Sequence, residues 1–286
     1  MGAVMQKQAI IIVTGYRRQA LELAHEIAAF LHDAAITADV YEYDKKSTAA
    51  PAAAPYAFAV SLGGDGTVLF AARFCAAQGI PVFPINLGTF GFIAGIKPSD
   101  WQQVLAAYLA GKLQPSARML LSASLYREEN LVDTLDVLND VVISKKGISK
   151  ICLDIAFNGI SFGMYQADGI IAATPTGSTA YSAAAGGPIL DPSVPAFLLT
   201  PVAAFSLSNR PIVLPSSGVI TIDVLHNRDK QVIMSIDGQQ AHELREGDRI
   251  SICMSKYRAY LIGCSYESFY DALRSKLAWS GSSLAR

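Results

Sequence analysis

The sequence has little of the features that mark several specialised classes of protein. Its 286 residues include 23 Lys and Arg against 24 Asp and Glu, so no positive excess is available to hold nucleic acid. Only 16% of the residues are charged and 51% are hydrophobic, which excludes intrinsic disorder because disordered chains combine low hydrophobicity with high charge. The four cysteines form no CxxC pair and have no metal-like spacing. They are typical of small core residues in a reducing compartment, and we expect a cytoplasmic protein.

Long apolar runs are also missing, although the mean hydropathy of +0.31 is high. Two charge-free windows, 169–190 and 192–209, are interrupted by glycines, hydroxyl residues or prolines. Neither provides the ~20 continuous apolar residues that a membrane-spanning helix needs. The apolar stretch 9–13 is too short for the core of a signal peptide, and no cleavage site follows it. We therefore expect neither a membrane partner nor a targeting segment.

The first 115 residues alternate between strand and helix patterns. Apolar residues recur at helical spacing in 19–32, and the runs 10–13 and 57–62 are typical of buried strands. The predicted elements are strand 10–13, helix 19–32, strand 57–62, helix 68–78, strand 80–85 and helix 99–111. Strands that alternate with helices predict a parallel sheet covered by helices. We therefore predict an α/β domain over residues 1–115.

The pattern changes after about residue 115 to short β-rich runs bounded by turns. Asn-Gly at 158–159 and Asp-Gly at 237–238 are strong turn signals, and the Lys pair at 145–146 is interpreted as a solvated face. The predicted strands are 119–126, 135–144, 150–157, 169–173, 219–225, 232–236 and 249–254. These features predict an all-β domain over 116–265, with the helical segment 266–286 rejoining the first domain. The predicted fold class is an α/β N-terminal domain with a parallel sheet plus an all-β C-terminal domain.

A glycine-rich loop follows the third predicted element. It reads Gly63-Gly64-Asp65-Gly66-Thr67 and precedes a predicted helix. Because glycine has no Cβ atom, backbone N–H groups in such a loop can approach phosphate oxygens, and the helix N-terminus adds partial positive charge. The loop is not a Walker loop and lacks GxGxxG spacing.

Asp65 is unusual in a phosphate loop because a carboxylate repels a polyphosphate. Two functional roles would justify it, namely binding Mg²⁺ or accepting the proton of a hydroxyl that attacks phosphorus. The structural alternative is a helix N-cap. Since GGDGT follows a buried-strand pattern, we favour a functional role in phosphoryl transfer.

Three further motifs point to a nucleotide. NLGTFGF at 86–92 follows a predicted strand, at the end where α/β sheets bind ligands. Asn139 and Asp140 lie side by side in an apolar strand pattern. Such a pair either suits ribose hydroxyls, which need both donors and acceptors, or marks a turn. The segment 168–192 is rich in glycine and hydroxyl groups and contains one aromatic residue, Tyr181, which favours recognition of a nucleotide over a packed loop.

The motifs carry a resemblance to known families. The GGDGT loop alone resembles the superfamily of NAD kinases, 6-phosphofructokinases, and diacylglycerol or sphingosine kinases. The ordered set GGDGT, NLGTFGF, LND and DGxxxxTPTGSTAYSxxxGGP resembles the NAD kinase family. The likeness continues through 199–215, 235–239 and 269–279, so it covers most of the chain. The TPTGSTAY block is much more specific than the glycine loop.

The resemblance implies roles for individual residues. Asp65 corresponds to the general base of the family. Gly66 corresponds to a dinucleotide contact, and Gly63, Gly64 and Thr67 complete the phosphate loop. The implied NAD-binding residues are Asp65, Gly66, Phe90, Asn139, Asp140, Lys150, Asp168, Thr179, Ala180, Tyr181, Ser182, Ala183, Ala184 and Gln239.

Some of these matches carry further detail. Asn139 and Asp140 match the pair at the NAD ribose, where relatives often have Glu in place of Asp140. Asp168 matches an aspartate that faces the dinucleotide, often from a neighbouring subunit. Gln166 occupies a position at which some relatives have a basic residue.

The resemblance implies a NAD kinase, which transfers a terminal phosphoryl group from ATP or polyphosphate to the 2′-hydroxyl of the adenosine ribose of NAD and so forms NADP. A divalent metal, Mg²⁺, is expected to bind with the phosphoryl donor, and no metal site made by the chain itself is expected. The expected partners are NAD and the donor, and the expected assembly is a homodimer or homotetramer. Two alternatives stay open: another GGDGT kinase, such as a lipid kinase, or a non-catalytic module that senses NAD(P).

Overall fold

The chain folds into two compact units, each with its own core. The computed structural model describes residues 7–15, 18–44, 51–52, 54–88, 91–93, 95–146, 150–206, 209–226 and 231–277. The first unit comprises residues 1–117 and 259–286, and the second comprises residues 118–258. Within the described ranges, no helix has both the length and the apolar character needed to cross a bilayer.

The first unit opens with a parallel sheet and its helices. Its elements are β1 (Gln8–Thr14), α1 (Arg18–Asp33), β2 (Thr37–Tyr43), β3 (Phe58–Gly63), α2 (Asp65–Ala76), β4 (Val82–Asn86) and α3 (Trp101–Leu109). The strands lie in the order β2-β1-β3-β4, and neighbouring strands are parallel. The ends of β3 and β4 are in register, since Gly63 pairs with Asn86. The loops that follow these two strands therefore leave the same edge of the sheet.

Helix α1 packs on the sheet through one apolar stripe. Ala20, Ala24, Ile27 and Leu31 are buried, and their spacing of three or four residues is that of an amphipathic helix. They join a core that includes inward-facing side chains of β1, β3 and β4. Burying a Leu or Ile side chain contributes about 2 kcal/mol, so this stripe holds α1 in place. The predicted helix over 19–32 is confirmed.

Strand β2 was not predicted from the sequence. Its residues, TADVYEY, are mostly exposed or half-buried, and charged residues stand where a buried strand would have apolar ones. The strand forms because its whole length pairs with β1. The ring of Tyr43 also stacks on Phe70, with the ring centroids 4.3 Å apart.

The second unit is built almost entirely from strands. Its elements are β5 (Ser116–Arg127), β6 (Asn130–Val137), β7 (Asp140–Lys146), β8 (Ile151–Phe157), β9 (Ile160–Ala167), β10 (Gly169–Ala173), α4 (Tyr181–Ala184), β11 (Ala196–Val202), β12 (Ile212–Pro215), β13 (Ile220–Val224), β14 (Gln231–Ile236), β15 (Gln240–Leu244) and β16 (Arg249–Leu261). One sheet has the order β12-β11-β10-β7-β14-β15, and all its pairs are antiparallel. The other strands pair in the order β16-β13-β8-β9, and β5 pairs with both β16 and β6. Side chains from both groups of strands, such as Ile143 and Phe197 of the first and Ile155 and Ile222 of the second, form one core.

Both predicted turns are present. Asn158 and Gly159 connect β8 to β9 with φ values of 51° and 78°. Asp237 and Gly238, in the turn between β14 and β15, have φ values of 50° and 63°. Positive φ at successive turn residues favours Asn, Asp and Gly, which is why these dipeptides predict the turns correctly.

The predicted strand 135–144 is wrong as a continuous element. Strand β6 ends at Val137 and β7 begins at Asp140, so Leu138 and Asn139 form a break between them. The apolar pattern across this segment does not show the break. The break is caused by hydrogen bonds to a residue far along the chain, and such bonds leave no local pattern.

The end of the chain belongs to the first unit. Leu261 of β16 pairs in parallel with Val82 of β4. Because of this pairing, residues 259–265 belong to the first unit. These residues were predicted to lie in the β-rich domain. The following helix is α5 (Tyr266–Lys276), whose N-cap residue Ser265 accepts the N–H of Ser268 through its hydroxyl oxygen at 3.3 Å. The remaining part of the predicted segment, 278–286, lies outside the described residues.

Candidate functional site

The glycine loop connects the end of β3 to the start of α2. Gly63 is the last residue of β3, Gly64 is the N-cap residue, and α2 begins at Asp65. A Cβ atom at Gly63 would collide with the buried side chain of Thr67, whereas a Cβ at Gly64 would meet nothing within 4 Å. Gly63 therefore permits close packing inside the loop, and the backbone at Gly64 faces open space at the helix N-terminus, where an anion is favoured.

Asp65 does not act as the N-cap residue. Its Oδ2 atom accepts the N–H of Phe92 at 2.8 Å, and its Oδ1 atom accepts the N–H of Ile93 at 3.3 Å. A Cβ atom at Gly91 would lie 2.5 Å from Oδ1 of Asp65, so Gly91 is required for this close approach. The carboxylate is thus held in one orientation by the segment that follows β4. Phe90, predicted to contact NAD from this segment, lies outside the described residues.

In the second unit, a buried carboxylate causes the break between β6 and β7. Asp237 is 7% exposed, and its Oδ1 atom accepts the N–H groups of Asn139 at 2.7 Å and Asp140 at 3.2 Å. Its Oδ2 atom accepts the N–H of Leu138 at 3.1 Å, and its own N–H donates to the carbonyl of Asp140 at 3.0 Å. Three successive backbone donors that would otherwise be unpaired are satisfied in this way.

Asp237 holds two residues of the candidate site, and sequence reasoning missed this role. Its place in an Asp-Gly turn explains its residue type without any other role. Its partners lie 97 to 99 residues earlier in the sequence, and no local pattern reports a contact over that distance. The only available signal was that the turn lies within the 235–239 match to the NAD kinase family.

The side chain of Asn139 is buried with an unsatisfied acceptor. Asn139 is 8% exposed, and its Oδ1 atom has no hydrogen-bond partner among the residues that the structure describes. Its backbone is held by the N–H of Thr174, which donates to the carbonyl of Asn139 at 2.8 Å, and any Cβ atom at Gly177 would collide with that carbonyl. A buried polar atom without a partner costs about 1–3 kcal/mol, so this oxygen fits the hydroxyl donor of a ligand.

The structure brings Asp140 together with the start of α4. Asp140 is 5% exposed, and burial, together with the negative charge of Asp237, raises its pKa from 3.8 to about 7. The backbone N–H of Tyr181 donates to the Asp140 carboxyl group and partly offsets this increase. Two residues predicted to bind NAD, Asp140 and Tyr181, are therefore neighbours.

The segment 179–184 divides into inward and outward side chains. The Ser182 hydroxyl is fully buried and lies 2.9 Å from the Thr200 hydroxyl, so it serves the packing of α4 on β11. The Thr179 hydroxyl donates to the carbonyl of Thr176 at 3.3 Å. The Tyr181 side chain is exposed. Ala180, Ala183 and Ala184 continue the same short turn and helix.

Asp168 lies between β9 and β10 and is paired with Lys145. The Lys145 ammonium donates to Oδ1 of Asp168 at 2.6 Å, and the Lys145 backbone N–H donates to the carbonyl of Asp168 at 3.1 Å. The side chain of Lys145 is only 19% exposed. The interpretation of Lys145 as a solvated residue is therefore wrong, because β7 and β10 pair at this position, whereas Lys146 is largely exposed.

Lys150 and Gln239 occupy separate positions in the second unit. The Lys150 ammonium lies 3.3 Å from the centroid of the Phe205 ring, which is a cation–π contact. The Phe205 N–H donates to the carbonyl of Gln166 at 2.9 Å. Gln239 lies in the β14–β15 turn, two residues after Asp237, and its N–H donates to the carbonyl of Ile236. No group of three or more His, Cys, Asp or Glu side chains suited to a metal occurs among the described residues.

Replacing Asp237 tests its role in holding the strand break. Asp237→Asn exchanges one acceptor oxygen for an amide N–H₂ that faces backbone donors, so the free energy of unfolding should fall by about 2 kcal/mol. Asp223→Asn is the matched control, because Asp223 pairs with Arg249 at the surface and such pairs contribute about 0–1 kcal/mol. Urea unfolding measures both variants. Equal effects of the two substitutions would contradict the role assigned to Asp237.

The raised pKa of Asp140 predicts a pH dependence of stability. Between pH 3.8 and about 7 the folded state holds more of the Asp140 proton than the unfolded state, so the unfavourable contribution of this group grows as the pH rises through that window. Asp140→Asn cannot titrate. The stability of the variant relative to the wild type should therefore increase from pH 4 to pH 7 and stay constant above it. Urea unfolding at several pH values checks this, and a constant difference over the window would refute it.

Comparison with protein families supports the interpretation of these motifs. Residues 9–113 match the ATP-NAD kinase N-terminal domain, and residues 138–264 match the ATP-NAD kinase C-terminal domain. The NAD kinase of Treponema denticola is 54% identical over 278 residues, which are 97% of this chain and 98% of that protein. The NAD kinase of Treponema pallidum is 49% identical over 97% of this chain and 91% of its own length.

Solved structures share the fold. Yeast NADH kinase complexed with NADH has a TM-score of 0.86 and 24% identity, and the match covers 99% of this chain and 91% of that one. An NAD kinase from Archaeoglobus fulgidus in complex with ATP has a TM-score of 0.72 and 21% identity over 93% of this chain and 98% of that one. The predicted fold class is confirmed by these structures and by the family models. The predicted NAD kinase activity is confirmed by the family models and the Treponema relatives, which favour it over the lipid kinase and the sensor module. The chain belongs to the NAD kinase family of phosphotransferases.

Proposed function

We propose that this enzyme transfers the terminal phosphoryl group of ATP to the 2′-hydroxyl of the adenosine ribose of NAD, with NADP as the product. The observation that carries the proposal is the fixed carboxylate of Asp65 beside the open backbone of the glycine loop. Support for ATP and a nicotinamide dinucleotide comes from the ATP-NAD kinase domain matches and from the complexes of related kinases with ATP and with NADH.

Asp65 acts as the general base in this proposal. A base must be held within reach of the hydroxyl whose proton it accepts. The N–H groups of Phe92 and Ile93 orient the carboxylate, and the absence of a side chain at Gly91 permits that orientation. The ribose hydroxyl proton passes to Asp65 as its oxygen bonds to phosphorus. General-base assistance of this kind contributes about 10²–10⁴ in rate.

The glycine loop positions the phosphoryl donor. The donor phosphates approach the backbone at Gly64 and Gly66, while Gly63 and Thr67 keep the loop closed on itself. Mg²⁺ neutralises charge on the phosphates when it is bound. Mg²⁺ is usually held by substrate phosphates, water and one or two carboxylates. The loop contains one carboxylate, Asp65, so the residues of the loop fit a metal that binds together with the donor.

Asn139 and Asp140 bind the ribose hydroxyls of NAD in this proposal. The buried Oδ1 atom of Asn139 accepts a hydroxyl hydrogen, which supplies the partner that it lacks. Asp140, whose pKa of about 7 leaves both protonation states accessible, can accept or donate. The N–H of Tyr181 donates to the same carboxyl group, which places the start of α4 beside this proposed contact.

The remaining predicted NAD-binding residues are also proposed to contact the dinucleotide. Asp168 reaches the dinucleotide while it is paired with Lys145, so Lys145 sets its orientation. Tyr181 offers an exposed ring. The proposed NAD-binding residues also include Lys150, Gln239, Phe90 and the other residues of 179–184.

A homodimer or homotetramer is proposed from the resemblance to the NAD kinase family. A cytoplasmic location is proposed because the four cysteines have no CxxC or metal-like spacing, which is typical of core residues in a reducing compartment. Light scattering of the purified enzyme measures the number of subunits. A monomer that turns over NAD at the full rate would overturn the proposed assembly.

The direct test of the proposed function is an assay of product. The enzyme is incubated with NAD, ATP and Mg²⁺, and NADP is detected with a dehydrogenase specific for it. Parallel reactions replace ATP with polyphosphate, NAD with NADH, or NAD with a lipid alcohol. NADP formation from NAD and ATP supports the proposal, whereas phosphorylation of the lipid alcohol alone would overturn it.

Asp65→Asn tests the general base. The amide keeps the size of the side chain but cannot accept the hydroxyl proton, so kcat should fall by about 10²–10⁴ while the affinity for NAD changes little. Isothermal titration measures NAD binding, and the NADP assay measures kcat. Asp100→Asn is the matched control, because Asp100 is an exposed carboxylate of the same unit that accepts the Ser99 hydroxyl. Turnover by Asp65→Asn at the rate of the control would remove Asp65 from this role.

A further inference from the structure

The glycine loop lacks a cation of its own. P-loops carry a lysine that reaches the donor phosphates, but GGDGT contains a carboxylate and no basic residue. A transferring phosphoryl group concentrates negative charge beside Asp65, and phosphoryl transfer relies on cations to offset such charge. A basic side chain from elsewhere in the first unit would therefore be expected near this loop.

Helix α5 brings such a side chain to Asp65. The helix is anchored by the buried side chains of Phe269 and Leu273, and its last residue is Lys276. The Lys276 ammonium lies 5.4 Å from the centroid of the Phe92 ring, within the range of a cation–π contact. The N–H of this same Phe92 donates to the Asp65 carboxylate at 2.8 Å.

The electrostatic environment of Lys276 agrees with this placement. Burial lowers its pKa, and the negative charge of Asp65 acts in the opposite direction. Lys276 is half-buried, whereas Arg274, the other basic residue in the last turn of α5, has a side chain that is 67% exposed and pairs with Asp271. Lys276 is thus the less exposed of these two cations, and it lies against the ring of Phe92.

We propose that Lys276 is a phosphate-binding catalytic residue, whose ammonium contacts the terminal phosphoryl group of the donor beside Asp65. The inference rests on the proposed function of the same loop. During transfer, the bond from the ribose oxygen to phosphorus forms and the bond from phosphorus to the bridging oxygen breaks. The bridging oxygen keeps the electron pair, and the hydroxyl proton passes to Asp65. Lys276 exchanges no proton and offsets charge on the phosphoryl oxygens.

The tests are Lys276→Met, which keeps the bulk without the charge, and Lys276→Arg, which keeps a charge. In Lys276→Met, kcat should fall by about 10²–10³, and the affinities for ATP and for inorganic tripolyphosphate should fall by about tenfold or more. The KM for NAD should stay within about threefold because Lys276 does not contact the dinucleotide. Lys276→Arg should recover most of both losses.

Arg274→Met is the matched control, since it removes an exposed cation of the same helix turn, and it should change these quantities by no more than about threefold. Circular dichroism confirms that each variant is folded, and Lys276→Gln replaces Lys276→Met if the latter is not. If Lys276→Met behaves like Arg274→Met, or loses kcat without losing affinity for ATP and tripolyphosphate, the phosphate contact is refuted. Binding is measured without turnover, so a wild-type enzyme that formed no NADP would refute the proposed function and leave the binding test of Lys276 intact.

Discussion

In each unit of this chain, a carboxylate accepts backbone N–H groups from a segment that is distant in sequence. Asp65 holds the segment after β4, and Asp237 holds the break between β6 and β7. An irregular segment cannot satisfy its own donors, and unpaired buried donors are costly. The same bonds that complete the backbone pairing therefore also fix the orientation of the groups proposed to act on NAD.

The second unit tolerates local features that do not stabilise its fold. Asn139 buries an acceptor that has no partner in the described part of the chain, and Asp140 is a buried carboxyl group beside the charge of Asp237. Proteins keep such features at functional sites when the surrounding structure over-determines the fold. Here β7 pairs with both β10 and β14 immediately after the break, and these two ladders hold Asp140 in place against its electrostatic cost.

Sequence reasoning succeeded where the signal was local. The stripe of α1 and the turns at 158–159 and 237–238 follow from spacing and from residue type. It failed at β2, where pairing with β1 overrides a polar pattern, and at 135–144, where Asp237 interrupts an apolar one. The interpretation of the Lys pair at 145–146 as a solvated face is wrong for Lys145, because the burial of this side chain depends on the neighbouring strand β10.

The sequence by itself supplied two contiguous motifs, GGDGT and TPTGSTAY, which carry the resemblance to the NAD kinase family and the phosphoryl transfer that this resemblance implies. Only the tertiary structure decided which groups support them. Asp237 reaches Asn139, and Lys276 reaches the neighbourhood of Asp65, across long stretches of chain. A hydrogen bond or a charge interaction acts over a few ångströms of space whatever the separation in sequence, so it leaves no periodicity or spacing that could be read along the chain.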